Sequence, residues 1–281
     1  MQKAPNHLLS LEQIDSLRVK PGVLTHPNEL ATDVSWGLDE KKVKKATKAV
    51  YKEVLDLQER LYAQKEQSLL IVLQAMDAAG KDSTIRKLTT NLNVQGARVQ
   101  SFGKPNKLEM SHDFLWRVHD KAPAKGEIVL FNRSHYEDVL IVKVHGWCSE
   151  EILERRYQHI NNWEELLADN GTKVLKLMLN ISPEYQLSRF RSRLENPGKN
   201  WKFNPGDLDE RRLWDDYMQA FAVALQRCST EAAPWYIIPA QQRWLRDYMV
   251  ATIVRDTLQA MNPQYPEPDY DAEQYTVDSI S

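Results

Sequence analysis

The chain is poor in cysteine, has no long apolar run and carries almost no net charge. Cys148 and Cys228 are its only cysteines in 281 residues and form no C-x-x-C pair, which leaves neither a disulfide framework nor a thiolate metal site. Such usage suits a reducing compartment, and the expected location is cytoplasmic. The longest apolar stretches, Leu69–Leu73 and Ala220–Leu225, fall far short of the roughly 18–20 residues that a membrane span needs. No basic segment followed by an apolar one opens the chain, so no membrane association and no export are expected. A formal net charge of -2 argues against wholesale nucleic-acid binding and moves attention from the total to the placement of charge. Internal repeats and low-complexity segments are absent too.

What is present is ordinary globular composition, 42% hydrophobic and 27% charged, with length for one large domain or two small ones. Residues 1–38 show no sustained periodicity and hold Pro5, Pro21, Gly22, Pro27 and Gly37, so they are expected to form an extended arm packed over something else. From Leu38 onward Val43, Ala46, Val50, Val54, Leu57 and Leu61 recur at helical spacing between Lys and Glu. Ser68–Gln74 is an apolar run of strand length, as a parallel strand buried on both faces is. Residues 97–103, 127–132, 173–181 and 235–239 are further strands, mostly separated by longer helical patterns. The alternation predicts an α/β fold with a central parallel sheet and helices on both faces. The Pro- and acid-rich tail from Pro263 reads as a loosely attached end.

The chemistry begins at "AMDAAGKDST", Ala75–Thr84. It departs twice from the Walker pattern G-x-x-x-x-G-K-[ST], with Ala75 in place of the first Gly and Asp82 in place of Ser/Thr. Its context, however, is strand, loop, helix, with Ile85, Leu88 and Leu92 at helical spacing after it. A helix N-terminus with unpaired amides, its dipole and the charge of Lys81 want an anion. An isolated Gly-Lys would equally be a tight turn; after a buried strand, Ala78, Ala79, Gly80, Lys81, Asp82 and Ser83 read as a phosphate cradle. Asp77 inside it would repel that phosphate unless a divalent cation lay between, so it reads as a magnesium anchor or a base. A helix cap or dipole-complementing acid suits Asp82 better than Asp77.

Two other stretches join it. "LFNRSHYEDVL", Leu130–Leu140, brings Asn132, Arg133, His135, Glu137 and Asp138 to a strand's carboxyl edge, where open α/β sheets bind ligands. Asn132 stands where a Walker B carboxylate would be expected; the amide can still hold a metal-bound water. His135 reads as a structural histidine, and the other histidines lack metal-ligand spacing. Between Arg189 and Lys202 five basic residues face the single acid Glu195. Arg189 and Arg193, four apart, share a helical face beside the stripe Leu187, Phe190, Leu194. A charge run is usually a solvated face, yet here acids are not interspersed, and the segment breaks into a loop as a lid would. A basic lid over a phosphate loop stabilises transition-state charge and excludes water.

With these residues in hand the sequence resembles the polyphosphate kinase 2 family, class III type. The carrying segments are "VLQAMDAAGKDST", "MSHDFLWRVH", "NRSHYEDVL", "NPGKNWKFNPGDL" and "APWYIIPA", in that order, and the likeness spans residues 17–263. The family loop reads G-x-D-x-x-G-K, which accounts for Asp77 and leaves Ala75 as the one departure. The resemblance implies a single P-loop kinase domain over residues 1–281, similar to thymidylate kinase and three-layered, with the arm at 1–38 and a helical lid at 183–212. It implies magnesium-dependent, reversible phosphoryl transfer between inorganic polyphosphate and the adenine nucleotides AMP and ADP, by a homo-oligomer. Asp77, Lys81, Arg133 and Arg193 would be catalytic. Asn132, Arg133, Glu137 and Asp138 would serve the acceptor, with Glu137 setting the choice between AMP and ADP, and Arg189, Arg193, Lys199 and Lys202 would hold the donor. Two other readings remain open: an ATP-dependent nucleotide monophosphate kinase, and an RNA-binding protein that would leave Asp77 and the loop without a task.

Overall fold

The computed structural model describes residues 8–270 and residue 275. Five strands form one parallel sheet: β1 (Ser68–Gln74), β2 (Ala97–Ser101), β3 (Ile128–Asn132), β4 (Thr172–Asn180) and β5 (Trp235–Pro239), in the order β2-β3-β1-β4-β5. β1 lies at the centre with all seven residues buried, paired Leu69↔Ile128 on one side and Leu69↔Lys173 on the other. A strand with neighbours on both sides and helices on both faces has no wet surface, which is why Ser68–Gln74 is apolar throughout.

One face carries α1 (Glu40–Gln64), α2 (Lys81–Thr89) and α7 (Arg243–Met261); the other carries α3 (Glu150–Asp169) and α6 (Trp214–Cys228). α1 starts where the Asp39 side chain accepts from Lys42 N at 2.9 Å, and it buries Val43, Val50, Val54 and Leu61. α4 (Pro183–Glu195) and α5 (Gly206–Arg212) follow β4 beside the sheet's carboxyl edge, joined through a 3-10 turn at Pro197–Lys202. The segment expected as a loop after α4 is thus largely helical. Leu194 of the supposed apolar stripe is 55% exposed, while Phe190 is buried against Phe203.

The described part of the arm packs on this chain's own core. Leu9, Leu17 and Val19 are buried, Val19 N donates to Trp235 O at 2.9 Å, and Ile237 N donates to Leu17 O at 2.8 Å. The arm therefore covers the free edge of β5, which would otherwise present unpaired backbone groups. It is not wholly extended: Leu11–Asp15 is a short helix, because Ser10 and Gln13 form a reciprocal capping box. Of the tail, residues 263–270 run without helix or strand, and the expectation for 271–274 and 276–281 lies outside the described residues.

Beneath β4 sits a buried ionic knot. Lys176 is paired with Glu164 of α3 and donates to Tyr136 Oη at 2.9 Å and Cys228 O at 2.5 Å, while Glu164 also meets His135 Nε2 at 3.2 Å. His135 is thus structural, fully buried beneath the sheet, and burial pushes its pKa down. Burial alone would raise Glu164, but Lys176 and His135 hold its carboxyl below the usual range. Removing one partner strands the other charge. Glu164→Gln is expected to lose about 3–5 kcal/mol in chemical denaturation, and the apolar double replacement Glu164→Leu/Lys176→Met to recover most of it. Equal losses for the single and double variants would contradict that account.

Candidate active site

The site lies at the carboxyl ends of β1 and β3. The loop leaving β1 enters α2 through two residues with positive φ, Ala78 at 63° and Gly80 at 105°. Gly80 is demanded twice, by its φ and by space: a Cβ there would stand 2.5 Å from Arg246 Nη1. Ala78 has no such exemption, nor does Arg133, at φ 63° just past β3. Such non-glycine residues cost about 1–3 kcal/mol each and persist where their surroundings over-determine them. Here Arg133 N is held by Leu73 O at 3.1 Å. No side chain caps α2, so its first amides remain for a ligand, with the helix dipole behind them.

Lys81 is folded inward. Only 9% exposed, it donates to Ala75 O at 2.8 Å and reaches Met76 O at 3.5 Å; burial pushes its pKa down while Asp77 pushes it up. Asp77 Oδ1 accepts from Arg133 Nη2 at 2.9 Å, and Arg133 Nη1 stands 3.5 Å from Glu137. Burial works against the charge of Arg133, but Glu137 and Asp77 outweigh it and raise its pKa. Asn132 Nδ2 donates to Asp82 Oδ1 at 2.9 Å, so the amide at the Walker B place orients an acid in the first turn of α2.

A cavity of about 390 Å³ separates the loop from Arg189 and Arg193 of α4 and from Lys199 and Lys202 of the turn after it. Folding thus brings Asp77, the cradle Ala78–Ser83, Asn132 and Arg133 to the same cavity as the basic segment. Arg193 is oriented by Asp207 Oδ2 at 3.1 Å and Lys202 O at 2.9 Å. Glu137 sits on the other side of Arg133, in a small cavity with Glu210 and Tyr217. Asp138 lines neither cavity: its carbonyl accepts from Arg156 Nη1 at 2.7 Å, and its carboxylate lies 3.6 Å from the same guanidinium.

Sequence reasoning missed several neighbours. Arg86 of α2 and Arg243 and Arg246 of α7 line the same cavity. Gln186 of α4 donates to Asp77 O at 3.0 Å and receives Arg211 Nη1 at 3.0 Å, tying α4 and α5 to the loop. A spacing signal existed for Arg243 and Arg246, three apart at a helix start, but their place on the loop cavity, with Arg246 against Gly80, follows from packing alone. Among the described residues no cluster of three or more His, Cys, Asp or Glu side chains could hold a metal. Two carboxylates, Asp77 and Asp82, line the cavity among the described residues, and magnesium takes one or two carboxylates and completes its shell with phosphates and water.

An uncapped helix start after the central strand of a β2-β3-β1-β4-β5 parallel sheet, faced by arginines, defines a P-loop kinase fold with a phosphotransferase site. The chain belongs to the polyphosphate kinase 2 family, whose model matches residues 37–266. It is 49% identical over 222 residues to the AMP/ADP-polyphosphate phosphotransferase of Meiothermus ruber, covering 79% of this chain and 83% of the relative. To the ADP-polyphosphate phosphotransferase of Rhodopseudomonas palustris it is 41% identical over 224 residues, 75% of this chain and 78% of that one. The crystal structure of polyphosphate kinase 2 from Arthrobacter aurescens superposes with a TM-score of 0.80 at 39% identity, covering 89% of this chain and 96% of that one.

Burial, opposed by Arg156 and Arg117, pushes the Asp138 carboxyl up to about 6. The folded protein therefore binds this proton more tightly than the unfolded chain, whose aspartate titrates near ~3.9, and stability falls as pH rises between the two. Asp138→Asn removes the titration. Relative to the unaltered protein it is expected to gain about 2 kcal/mol at pH 8 compared with pH 4. Thermal melts giving the same difference at both pH values would show that Asp138 carries no such burden.

Proposed function

We propose that the protein transfers the terminal phosphoryl group of inorganic polyphosphate to AMP and to ADP, giving ADP and ATP, reversibly and with magnesium. The observation that carries this is the cavity itself, where a phosphate cradle and the cations of α4, its following turn and α7 face one another with Asp77 and Asp82 as the only acids on its walls. A linear polyanion fits such a surface. Relatives named for AMP/ADP and for ADP as acceptors support the donor and the acceptor class.

The nucleophile is an oxygen of the acceptor's terminal phosphate, already ionised near neutral pH, so no general base is needed. That oxygen bonds to the donor's terminal phosphorus as the bridging P–O bond breaks, and the shortened chain leaves with the electron pair. Positioning and charge stabilisation are then the whole task. The α2 amides and Lys81 hold the donor phosphates from below. Arg133, steered by Asp77 and Glu137, meets the transferred group from the β3 side, and Arg193, steered by Asp207, meets it from α4. Asp77 is the residue that would hold magnesium, which would supply further neutralisation of phosphate charge. Through its hold on Arg133, Glu137 sets the preference between AMP and ADP. Residues 183–212 act as a lid within a single domain, joined to the loop where Gln186 donates to Asp77 O. The reading includes a homo-oligomer and a cytoplasmic location; among the described residues no helix is long and apolar enough to cross a membrane.

The test is an assay with magnesium and polyphosphate given AMP alone or ADP alone, products separated by chromatography. ATP from ADP, and ADP then ATP from AMP, are expected. Turnover with ATP as donor and none with polyphosphate would instead favour a nucleotide monophosphate kinase. Asp77→Asn is expected to lower kcat by at least about a thousandfold, the scale of a lost transition-state charge partner, with a Tm close to that of the unaltered protein. Retention of most activity would remove Asp77 from its assigned role.

A further inference from the structure

A second cavity, of about 640 Å³, opens between α1, α2 and α7 and shares Ser83, Arg86, Arg243 and Arg246 with the loop cavity. The two hollows therefore adjoin at the first turn of α2. Its outer walls bear Lys44 and Lys48 of α1 and Lys87 of α2. The carboxylates on these walls are already engaged, Glu40 with Lys44 at 2.6 Å and Asp247 with Arg246 at 2.7 Å. Among the described residues no carboxylate lies within ion-pair distance of Lys48, Arg86, Lys87 or Arg243, all exposed. An accidental basic face would be interspersed with acids, as the rest of α1 is; this one has its cations turned toward a shared hollow.

Arg246 marks the junction. Its side chain is 3% exposed, and Asp247 holds Nε at 3.0 Å and Nη2 at 2.7 Å. Nη1 has no hydrogen-bond partner among the described residues and points at Gly80, toward the cradle. A guanidinium nitrogen without a protein partner, set beside a phosphate loop and between two basic hollows, suits an anion that reaches from one to the other. Across the junction, burial and then the nearby charge of Arg243 push Arg189 down, and among the described residues neither arginine has a carboxylate within ion-pair distance.

We propose that this second groove carries the distal phosphates of the donor chain, which runs from the cradle past Arg246 and out between α1 and α2 along Lys48, Arg86 and Lys87. The inference rests on the polyphosphate reading and adds to it a direction for the chain and a cause of length preference. A chain of three phosphates stays over the cradle, whereas a long chain also gains the groove. The gain comes from exposed charges, so it acts on donor affinity, weakens with salt and leaves the chemical step alone.

The experiment measures kcat and KM with saturating ADP, using tripolyphosphate and long-chain polyphosphate as separate donors, for the unaltered protein and for Lys48→Ala/Lys87→Ala. The double variant is expected to lose about tenfold in kcat/KM for the long chain, mainly through KM, and less than twofold for tripolyphosphate. Lys125→Ala, a charge removed at the opposite end of the sheet, is expected to change neither. Lys48→Gln/Lys87→Gln repeats the test with the helix propensity and side-chain length nearly kept. Equal losses for the two donors, or a change confined to the KM for ADP, would overturn the groove as a donor track while leaving the phosphotransferase intact. Turnover of neither donor by the unaltered protein would sink the phosphotransferase reading, and the groove with it.

Discussion

Asp77 is the joint on which the site depends. Its side chain holds Arg133 from the end of β3, and its carbonyl receives Gln186 from α4, so loop, sheet edge and α4 meet at one residue. A carboxylate amid phosphate-binding groups is unfavourable in isolation. It persists here because the Arg133 guanidinium neutralises it. Burial lowers Lys81 and the charge of Asp77 opposes it; burial raises Asp207 and the charge of Asp77 adds to it, so both groups sense this carboxylate.

The molecule treats buried and accessible cations in opposite ways. Lys176, fully enclosed, is matched by Glu164, a phenol and a carbonyl, as the low interior dielectric requires. Around the cradle, arginines and lysines stand with few acids, and water screens them until a polyanion arrives. That imbalance is a cost to the free protein and a reserve of binding energy for a substrate of many negative charges. The strained backbone at Ala78 and Arg133 falls in the same small volume, where the helix start and the strand end must both face the ligand.

Much of this was legible in the chain. The burial of β1 on both faces showed as an unbroken apolar run, and the Gly-Lys turn after it showed as a helix start with open amides. The boundaries missed by a residue or two; the short helix at Leu11–Asp15 was hidden because it rests on a local capping box, and that at Gly206–Arg212 because it buries no residue and so has no apolar stripe. Leu194 looked like part of a buried stripe, yet α4 lies at the sheet edge and turns it to solvent.

The sequence by itself determined which groups the site would contain, since a phosphate cradle, an arginine at a strand end and an acid-poor basic helix are local patterns written in consecutive residues. The tertiary structure alone decided how they are joined. It folded Lys81 onto its own loop, sent Asp138 to Arg156 and away from the cavity, and brought Arg243 and Arg246 from near the end of the chain to Gly80. The physical reason is that side-chain spacing within one element follows from its period, whereas contact between elements follows from how a parallel sheet stacks its helices, which no single stretch of sequence encodes.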